Sequence, residues 1–427
     1  MQLSEKDYLL KGYQGSQCFL LRIGAMYVLQ DENEVYNWIF VGIFHMHYYV
    51  FLFWILPYDV SHTIPMGHMT ATLQALHYYC TFLGYSIVNY LYHFNRKSVN
   101  FCLTLIGKSF FEYEEGGTEI EIKAAQESDK NQKEYIKKLT KYVMVIVFAT
   151  AFAVLMLPPF AELLTRDGPI PDDEIMNPYL PIPLVLPWDS FSIGGYLLIY
   201  VFLFLVSYNI CTELLALSMG YTSFLIIYIN QFKILNNSVL KIEERATKRY
   251  KKVAVKQLKG MEKFDDPIFQ ECMILCLKQN IKHHQILLKW MDEACHFLGW
   301  GVLCTIFTTS FLLAASGFLI TMESDSSLLK SLILVQVQIL ELLHAYLFCW
   351  WGENLATESA KLYHSLYKTP WFYCGKRFNK LMQIMMNRAS KPVIPRDPLF
   401  KINASLEVYM SILSTGYSYF NLLRSMN

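Results

Sequence analysis

Two carboxylates, Glu213 and Glu341, stand inside long apolar runs and are the residues best placed to do chemistry. A charge in an apolar span is costly, so such a residue usually faces a bundle interior or water and carries a function. We expect both toward the cytoplasmic half of their helices, where a structural basic partner and a place on an ion path remain equally open. Motifs for catalysis are missing: the sequence has no GxSxG, no glycine-rich phosphate loop and no HExxH. We therefore expect no enzyme and no cofactor.

The histidines and cysteines do not have metal-site or disulfide spacing. His45 and His47 are two residues apart, so on one helix they point in different directions. His283 and His284 are adjacent near a membrane edge, where hydrogen bonding explains them better than metal binding. The ten cysteines are scattered through apolar runs and basic segments, so neither disulfides nor a metal site are expected.

Four apolar stretches each place two or three residues on one helical face, at i, i+3 or i+4 spacing. If these faces converge in the external halves of their helices, they line an apolar, aromatic cavity with a few polar groups, which is typical of a small-molecule site. The alternative is that the faces simply pack against one another. The candidate ligand-binding residues are Leu73, His77 and Cys80; Thr150, Ala153 and Leu157; Tyr200 and Phe204; and Leu334, Val337 and Gln338.

The last apolar stretch carries a stripe of mostly hydroxyl residues at helical spacing, which predicts a single face. Hydroxyls can solvate a passing cation, and a ring of Leu422 side chains can close a path by excluding water. Alternatively, the hydroxyls bond to the preceding turn of their own helix or let another helix approach closely. The stretch is short for a lipid-facing span, which favours the pore interpretation. The stripe consists of Ser411, Thr415, Ser418, Leu422 and Ser425.

The elements that must position these residues are membrane helices. Of the 427 residues, 54% are hydrophobic, 15% aromatic and only 17% charged, which is outside the composition of ordinary soluble proteins. A spanning helix needs about 20 apolar residues. The expected fold class is therefore all-α, a polytopic membrane protein with seven transmembrane helices. The seven stretches are 35–58, 69–93, 142–161, 191–232, 297–322, 331–352 and 408–423.

The distribution of basic residues predicts the orientation, because Lys and Arg resist translocation. Of the 37 Lys and Arg residues, 34 lie in 1–34, 95–141, 231–290 and 353–407. That side should be cytoplasmic, which leaves the N-terminus inside and the C-terminus outside, the reverse of a G-protein-coupled receptor. The N-terminal segment should carry an interfacial helix within 18–29. The net charge of +1 gives no reason to expect a nucleic-acid partner.

Several motifs occur in a characteristic order toward the C-terminus. FCWWGENLATESAKLYHSLYKTPW begins at Phe348 and is followed by MMNRASKPVIP and the terminal YSYFNLLRSMN; HHQILLKW and LPIPLVLPWD occur earlier in the chain. Together they resemble the insect odorant receptor family. Two small departures are visible: Gly352 is followed by Glu-Asn rather than Asn-Glu, and Glu358 precedes Ser359 without a spacer.

The resemblance implies a tetrameric, ligand-gated, non-selective cation channel at the plasma membrane of olfactory sensory neurons. This chain would be a ligand-tuned subunit in a heterotetramer with a co-receptor, surrounded by membrane lipid and binding a small volatile organic molecule. The implied division is a cytoplasmic N-terminus (1–34), six membrane helices with a ligand pocket (35–350), a cytoplasmic anchor segment (351–407) and a pore-lining seventh helix (408–427).

The resemblance also implies roles for particular residues. Leu422 matches the position of the family's hydrophobic gate, with Ser418 on the pore and with Ser425 and Met426 near the outer mouth. Neighbouring subunits would meet in the anchor segment. The implied interface residues are Glu353, Glu358, Tyr367 and Trp371. Two alternatives stay open: a gustatory-type channel of the same superfamily, and a seven-helix receptor that signals through an intracellular transducer.

Overall fold

A computed structural model describes residues 7–9, 11–12, 34–67, 69–114, 119–166, 175–182, 184–254, 260–322 and 328–425. These residues are almost entirely helical, and an isolated bridge between Arg396 and Asn403 is the one β pairing among them. The expected interfacial helix at 18–29 and Met426 lie outside the described residues. The helices are α1 (Glu34–Val50), continued by a π-helical turn (Phe51–Ile55) into α2 (Leu56–Thr63), α3 (Met69–Phe94), α4 (Arg96–Gly107), α5 (Glu119–Thr165), α6 (Ile193–Leu240), α7 (Ile242–Val253), α8 (Pro267–Met322), α9 (Leu328–Tyr367), α10 (Lys376–Ala389) and α11 (Leu406–Ser425).

Each of the seven apolar stretches lies within or largely within one helical element: the continuous α1–α2, then α3, α5, α6, α8, α9 and α11. Among the residues searched, Lys130–Leu164, Ile193–Leu240 and Pro267–Phe318 are helices that are long and apolar enough to cross a membrane by length and composition. The fourth stretch, for which the sequence allowed one helix or two, forms the single helix α6 of 48 residues.

The long helices α6, α8 and α9 extend well beyond the roughly 20 residues that a bilayer requires. Their extensions pack with α7 and α10 at one end of the bundle, which we call the anchor end. The opposite end carries residues 175–182 and 184–192 and is called the loop end. The extension of the fourth and fifth predicted helices beyond the membrane was expected from apolar residues at helical spacing in 231–290.

A stack of aromatic rings forms the core of the anchor end. Tyr228 and Trp290 stack with ring centroids 4.6 Å apart, and both are fully buried. The Tyr228 hydroxyl donates to the Leu287 carbonyl at 2.6 Å, and Trp290 Nε1 donates to the Cys102 carbonyl at 3.2 Å. Because both polar atoms have partners, the rings can be buried without an unsatisfied group.

A buried arginine ties α7 to this core. Arg245 donates to Ser238 Oγ at 2.7 Å, to Asn280 Oδ1 at 2.8 Å and to Gln279 Oε1 at 2.5 Å. Its guanidinium lies over the Tyr113 ring, 4.3 Å from the centroid. Tyr113 in turn pairs with His283 Nδ1 at 2.8 Å, so His283 makes the hydrogen bond that the sequence analysis favoured over a metal site.

The connector 390–405 runs from α10 back across α9 to the start of α11. Asp397 is fully buried and holds a turn, since its carboxylate accepts from the backbone amides of Leu399 and Ile402 at 2.8 Å and 2.5 Å. Gly352 of α9 lies directly against Ala404, and a Cβ at Gly352 would collide with the Ala404 carbonyl oxygen. The position of α11 therefore depends on this close approach of two backbones.

Candidate functional site

Helices α3, α5, α6 and α9 enclose a cavity of about 320 Å³ in the half of the bundle nearer the loop end. This volume is within the range of small-molecule sites, roughly 300–1,000 Å³. Residues of the segment 176–182 close it. The lining consists of Gln74, His77, Tyr78, Thr81, Phe82 and Tyr85 of α3; Val147, Thr150, Ala151, Val154, Pro158, Glu162 and Arg166 of α5 and its end; Met176, Pro178, Leu180, Pro181 and Ile182; Ser207, Ile210, Cys211 and Leu214 of α6; and Val337, Leu340 and Glu341 of α9.

The segment that closes the cavity is proline-rich, so it cannot continue a helix and instead forms an irregular cover. Side chains fix it in place. The Asp59 carboxylate of α2 accepts from the Val185 amide at 2.7 Å, and Asn177 Nδ2 donates to the Ser190 carbonyl at 2.5 Å. These bonds satisfy backbone groups that an irregular buried segment would otherwise leave unpaired.

The walls of the cavity are mainly apolar and aromatic. On α3, Tyr78, Phe82 and Tyr85 recur at intervals of four and three and therefore share one face. Val147, Ala151 and other small aliphatic residues of α5 and α6 leave the space that these rings do not fill. Such a surface binds small hydrophobic molecules by burial and shape rather than by many directional bonds.

Several polar groups of the cavity are already bonded within the chain. Thr81 and Thr150 donate to the carbonyls of His77 and Ile146, one turn earlier, at 3.0 Å each. Glu162 and Arg166 form an ion pair at 2.7 Å. By contrast, His77 Nδ1 is buried with no hydrogen-bond partner among the described residues. A buried nitrogen without a partner is destabilising unless a ligand or water completes it.

Of the eleven candidate ligand residues, the structure places His77, Thr150 and Val337 at the cavity. The side chain of Leu334 lies outside the part of the chain whose side chains are described. The others lie elsewhere: Leu73, Cys80, Ala153, Leu157, Tyr200, Phe204 and Gln338 are not among the lining residues.

The contacts of the displaced residues explain the difference. Tyr200 donates to the Leu155 carbonyl at 3.1 Å, Gln338 accepts from Ser316 at 2.5 Å, and Phe204 is 48% exposed on the outside of the bundle. Helical spacing tells which residues share a face, but not which faces of four helices meet. The face of α3 that continues from His77 through Thr81 to Tyr85 could have been extended from the sequence.

The two carboxylates have different surroundings. Glu213 Oε1 is paired with His45 Nε2 at 2.7 Å and with Asn89 Nδ2 at 2.8 Å, and all three residues are buried. Its partner is therefore a histidine of α1 rather than a lysine or arginine. His47 points away and contacts the Leu205 carbonyl at 3.1 Å, as the two-residue spacing predicts. Glu341 instead lines the cavity.

Helix α11 has a buried face and an exposed stripe. Ile412 and Gly416 are buried, and a Cβ at Gly317 of α8 would lie 3.0 Å from Phe420. The stripe from Ser411 to Ser425 points away from this contact and is exposed in the single chain. Three of its hydroxyls, those of Ser411, Ser418 and Ser425, donate to carbonyls of their own helix at 2.8–3.1 Å.

The four residues proposed for a subunit interface differ in exposure. Tyr367 is 63% exposed, and Trp371 is partly buried beside it with ring centroids 6.4 Å apart. Glu358 pairs with Lys361 at 2.8 Å, and Glu353 accepts a long hydrogen bond from the Leu406 amide at 3.4 Å. The two carboxylates are thus engaged within their own chain, while the aromatic pair offers an open surface.

Comparison with known proteins gives consistent results. A family model described as 7tm Odorant receptor matches residues 101–417. Putative odorant receptor 92a of Drosophila melanogaster is 22% identical over 149 residues, and Odorant receptor 47a of the same species is 23% identical over 259 residues. These matches cover 35% and 59% of this chain and 36% and 60% of the relatives. The chain thus spans only about a third of the length of the first relatives it matches.

Solved structures resemble the whole chain. The insect olfactory receptor OR5 from Machilis hrabei superimposes with a TM-score of 0.74 at 14% identity, covering 99% of this chain and 100% of that one. The structure of the same receptor in complex with eugenol gives a TM-score of 0.72, also at 14% identity and the same coverage. The all-α, seven-transmembrane fold is therefore confirmed.

Proposed function

The chain belongs to the insect odorant receptor family, and from that premise we propose that it is an odorant-gated, non-selective cation channel subunit. The largely apolar cavity between α3, α5, α6 and α9 is the observation that carries the ligand part of the proposal. It would take small, volatile, hydrophobic molecules. The opposed faces of α11, one packed on α8 and one free, support its role as the pore helix.

The test of this proposal is current through an excised patch that contains the chain and its co-receptor, with no nucleotide present. A ligand-gated channel opens in such a patch because it needs no transducer, whereas a receptor that signals through an intracellular transducer gives no current. A gustatory-type channel would also open, but with non-volatile tastants rather than volatile compounds. Silence with a broad volatile panel would overturn the proposal.

The finer assignments follow the same premise. We place the subunit in the plasma membrane of olfactory sensory neurons, in a heterotetramer with the co-receptor, with lipid around it and cations passing through it. The proposed division is 1–34 as the cytoplasmic N-terminus, 35–350 as the six helices with the pocket, 351–407 as the anchor segment and 408–427 as the pore helix. The anchor end would thus be cytoplasmic and the loop end extracellular.

This orientation predicts the accessibility of the two termini. An epitope added before Met1 should bind antibody only after permeabilisation, whereas one added after Asn427 should bind on intact cells. The physical reason is that 34 of the 37 Lys and Arg residues lie in segments on the N-terminal side. Immunofluorescence with and without detergent measures both. Exposure of the N-terminal epitope on intact cells would contradict the orientation.

The cavity predicts which substitutions change ligand choice. His77→Ala and Val337→Phe alter the polarity and the volume of the cavity, so they should change the order of agonist potencies by up to about tenfold for individual ligands. Phe204→Ala is the matched control, because Phe204 lies outside the cavity. Dose–response currents with a panel of volatiles give the measurement. An unchanged potency order in the first two variants, or a changed one in the control, would contradict the assignment.

The aromatic pair of exposed Tyr367 and partly buried Trp371 predicts a subunit contact. Tyr367→Ala and Trp371→Ala should lower co-purification with the co-receptor, because large aromatic side chains at the centre of an interface often contribute about 2 kcal/mol or more each. Phe53→Ala, a comparably exposed aromatic of the π-helical turn outside the anchor segment, serves as the control. Pull-down of tagged co-receptor measures the effect. Intact complexes with both variants would remove this pair from the interface.

A further inference from the structure

The charged groups that line the cavity are unevenly distributed. Glu162 and Arg166 neutralise each other as an ion pair, 2.7 Å apart, at the end of α5. Glu341 also lines the cavity and is only 6% exposed. No described residue gives the Glu341 carboxylate a hydrogen bond or an ion pair. Burial disfavours the ionised form of a carboxyl group that has no partner, and a cation bound beside Glu341 would stabilise that form.

The ion pair is too distant to complete it. Gln336 Nε2 donates to Thr150 Oγ1 at 3.3 Å, which fixes the relative heights of α9 and α5. Glu341 lies five residues beyond Gln336 toward the anchor end, and Glu162 lies twelve residues beyond Thr150 toward the loop end. At about 1.5 Å per residue, the two carboxylates are separated by roughly 25 Å along the bundle. Arg166, one turn beyond Glu162, is farther still.

The neighbouring histidine is also engaged elsewhere. His344 lies one turn from Glu341 on α9, but its Nδ1 pairs with Ser218 Oγ at 2.6 Å and its Nε2 with Thr305 Oγ1 at 3.2 Å. Both ring nitrogens therefore have hydroxyl partners. The Tyr85 ring lies 6.2 Å from the His344 ring, which places this tyrosine at the same depth of the cavity as Glu341.

Aromatic rings of α3 line the cavity from the depth of Glu341 toward the loop end, since Tyr85 lies at that depth and Phe82 and Tyr78 precede it by three and seven residues. Tyr78, Phe82 and Tyr85 of α3 all line the cavity, and the face of an aromatic ring attracts a cation. A carboxylate combined with such rings in an apolar enclosure suits a ligand that carries one positive charge and an apolar body. His77, nearer the loop end, can donate or accept a hydrogen bond and so does not select the sign of the charge.

We propose that this cavity selects small basic amines, with the Glu341 carboxylate receiving the ammonium group. A neutral alcohol of the same shape can also hydrogen-bond to Glu341, but it brings no charge to stabilise the ionised carboxylate. The ammonium both donates and neutralises, so it should bind more tightly than its alcohol or hydrocarbon counterpart. The proposal rests on the proposed function, since it names the ligand class of the same channel site.

The experiment compares benzylamine, benzyl alcohol and toluene on the full chain co-expressed with the co-receptor, by dose–response currents. In the wild-type chain we expect benzylamine to be the most potent of the three. Glu341→Gln should lower the potency of benzylamine by about tenfold or more, since hydrogen bonds to charged groups contribute about 1.5–3 kcal/mol. The same variant should leave toluene close to its wild-type potency.

Glu134→Gln is the matched control, because Glu134 is a carboxylate of α5 that lies outside the cavity and pairs with Lys138. It should leave the ratio of benzylamine to benzyl alcohol potency unchanged. If the Glu341→Gln variant is not delivered to the cell surface, the relative potency of the three probes on the wild-type channel tests the proposal. Equal or lower potency of the amine in the wild type, or an unchanged ratio in Glu341→Gln, would overturn the amine proposal. Currents with the neutral probes would then still support the channel function, whereas no current with any volatile would remove both.

Discussion

Leu422→Ala is expected to produce current without ligand, at least about tenfold above the wild-type background. Leu422 is the one large apolar member of the stripe on α11 and is 54% exposed in the single chain. If four such helices surround a central path, the four Leu422 side chains form a ring that excludes water from the closed path. At about 0.8 kcal/mol per CH₂ group, the truncation lowers the cost of wetting by roughly 2 kcal/mol per subunit, which is more than a factor of ten.

Because Leu422 makes little contact with its own chain, the substitution should not unfold the subunit. Met410→Ala is the matched control, since Met410 is an exposed apolar residue of the same helix that lies off the stripe. It should leave ligand-independent current at the wild-type level. If co-receptor subunits provide most of the ring, the effect in a mixed channel will be smaller in proportion to the copies of this chain.

Cysteine modification provides the decisive version of this test. Cysteines placed at Leu422 and Ser425 should react with a thiol reagent at different rates in the open and closed states, and should then block current. The background is low, because the described native cysteines are buried or partly buried and burial raises the pKa of the Cys374 thiol to about 12. No state-dependent change at either position would remove α11 from the conduction path.

Gly352→Ala is expected to abolish agonist current and to lower the amount of assembled channel. The added Cβ would meet the Ala404 backbone carbonyl and would lie 2.9 Å from the Ala404 Cβ. Backbone atoms cannot move aside as a flexible side chain can, so the connector must shift. The shift should reach α11, because this helix begins at Leu406, only two residues after Ala404. Overpacking destabilises the folded subunit by about 1–3 kcal/mol. Replacing a helical glycine by alanine stabilises it by about 1 kcal/mol, which is less than the largest overpacking cost.

Gly194→Ala is the matched control for Gly352→Ala. Gly194 lies near the start of α6, and a Cβ there would meet nothing within 4 Å. This variant should keep wild-type current, with a stability change between zero and a gain of about 1 kcal/mol. Size-exclusion chromatography of the detergent-solubilised complex and whole-cell current measure both variants. Normal assembly of Gly352→Ala would show that the connector can shift without displacing α11.

The sequence by itself determined the membrane character of the chain, the seven helices and the family. Apolar stretches of sufficient length can satisfy their backbone in a bilayer only as helices, so these elements follow from local composition. The hydroxyl stripe was also readable, since one helix has a fixed periodicity of 3.6 residues. Leu422 and Ser418 are both exposed, as the predicted single face requires. This prediction needed only the periodicity of one helix.

Only the tertiary structure decided how the helices face one another. Of the ten candidate ligand residues whose side chains the structure describes, three reach the cavity, because the rotation of each helix about its axis is set by packing that sequence spacing does not encode. The partners of Glu213 could not be predicted from the sequence either, because His45 and Asn89 come from two other helices, 168 and 124 residues away. Glu341 resembles Glu213 in sequence context but lines the cavity instead, since its neighbours across the bundle are apolar walls and aromatic rings rather than a histidine and an amide.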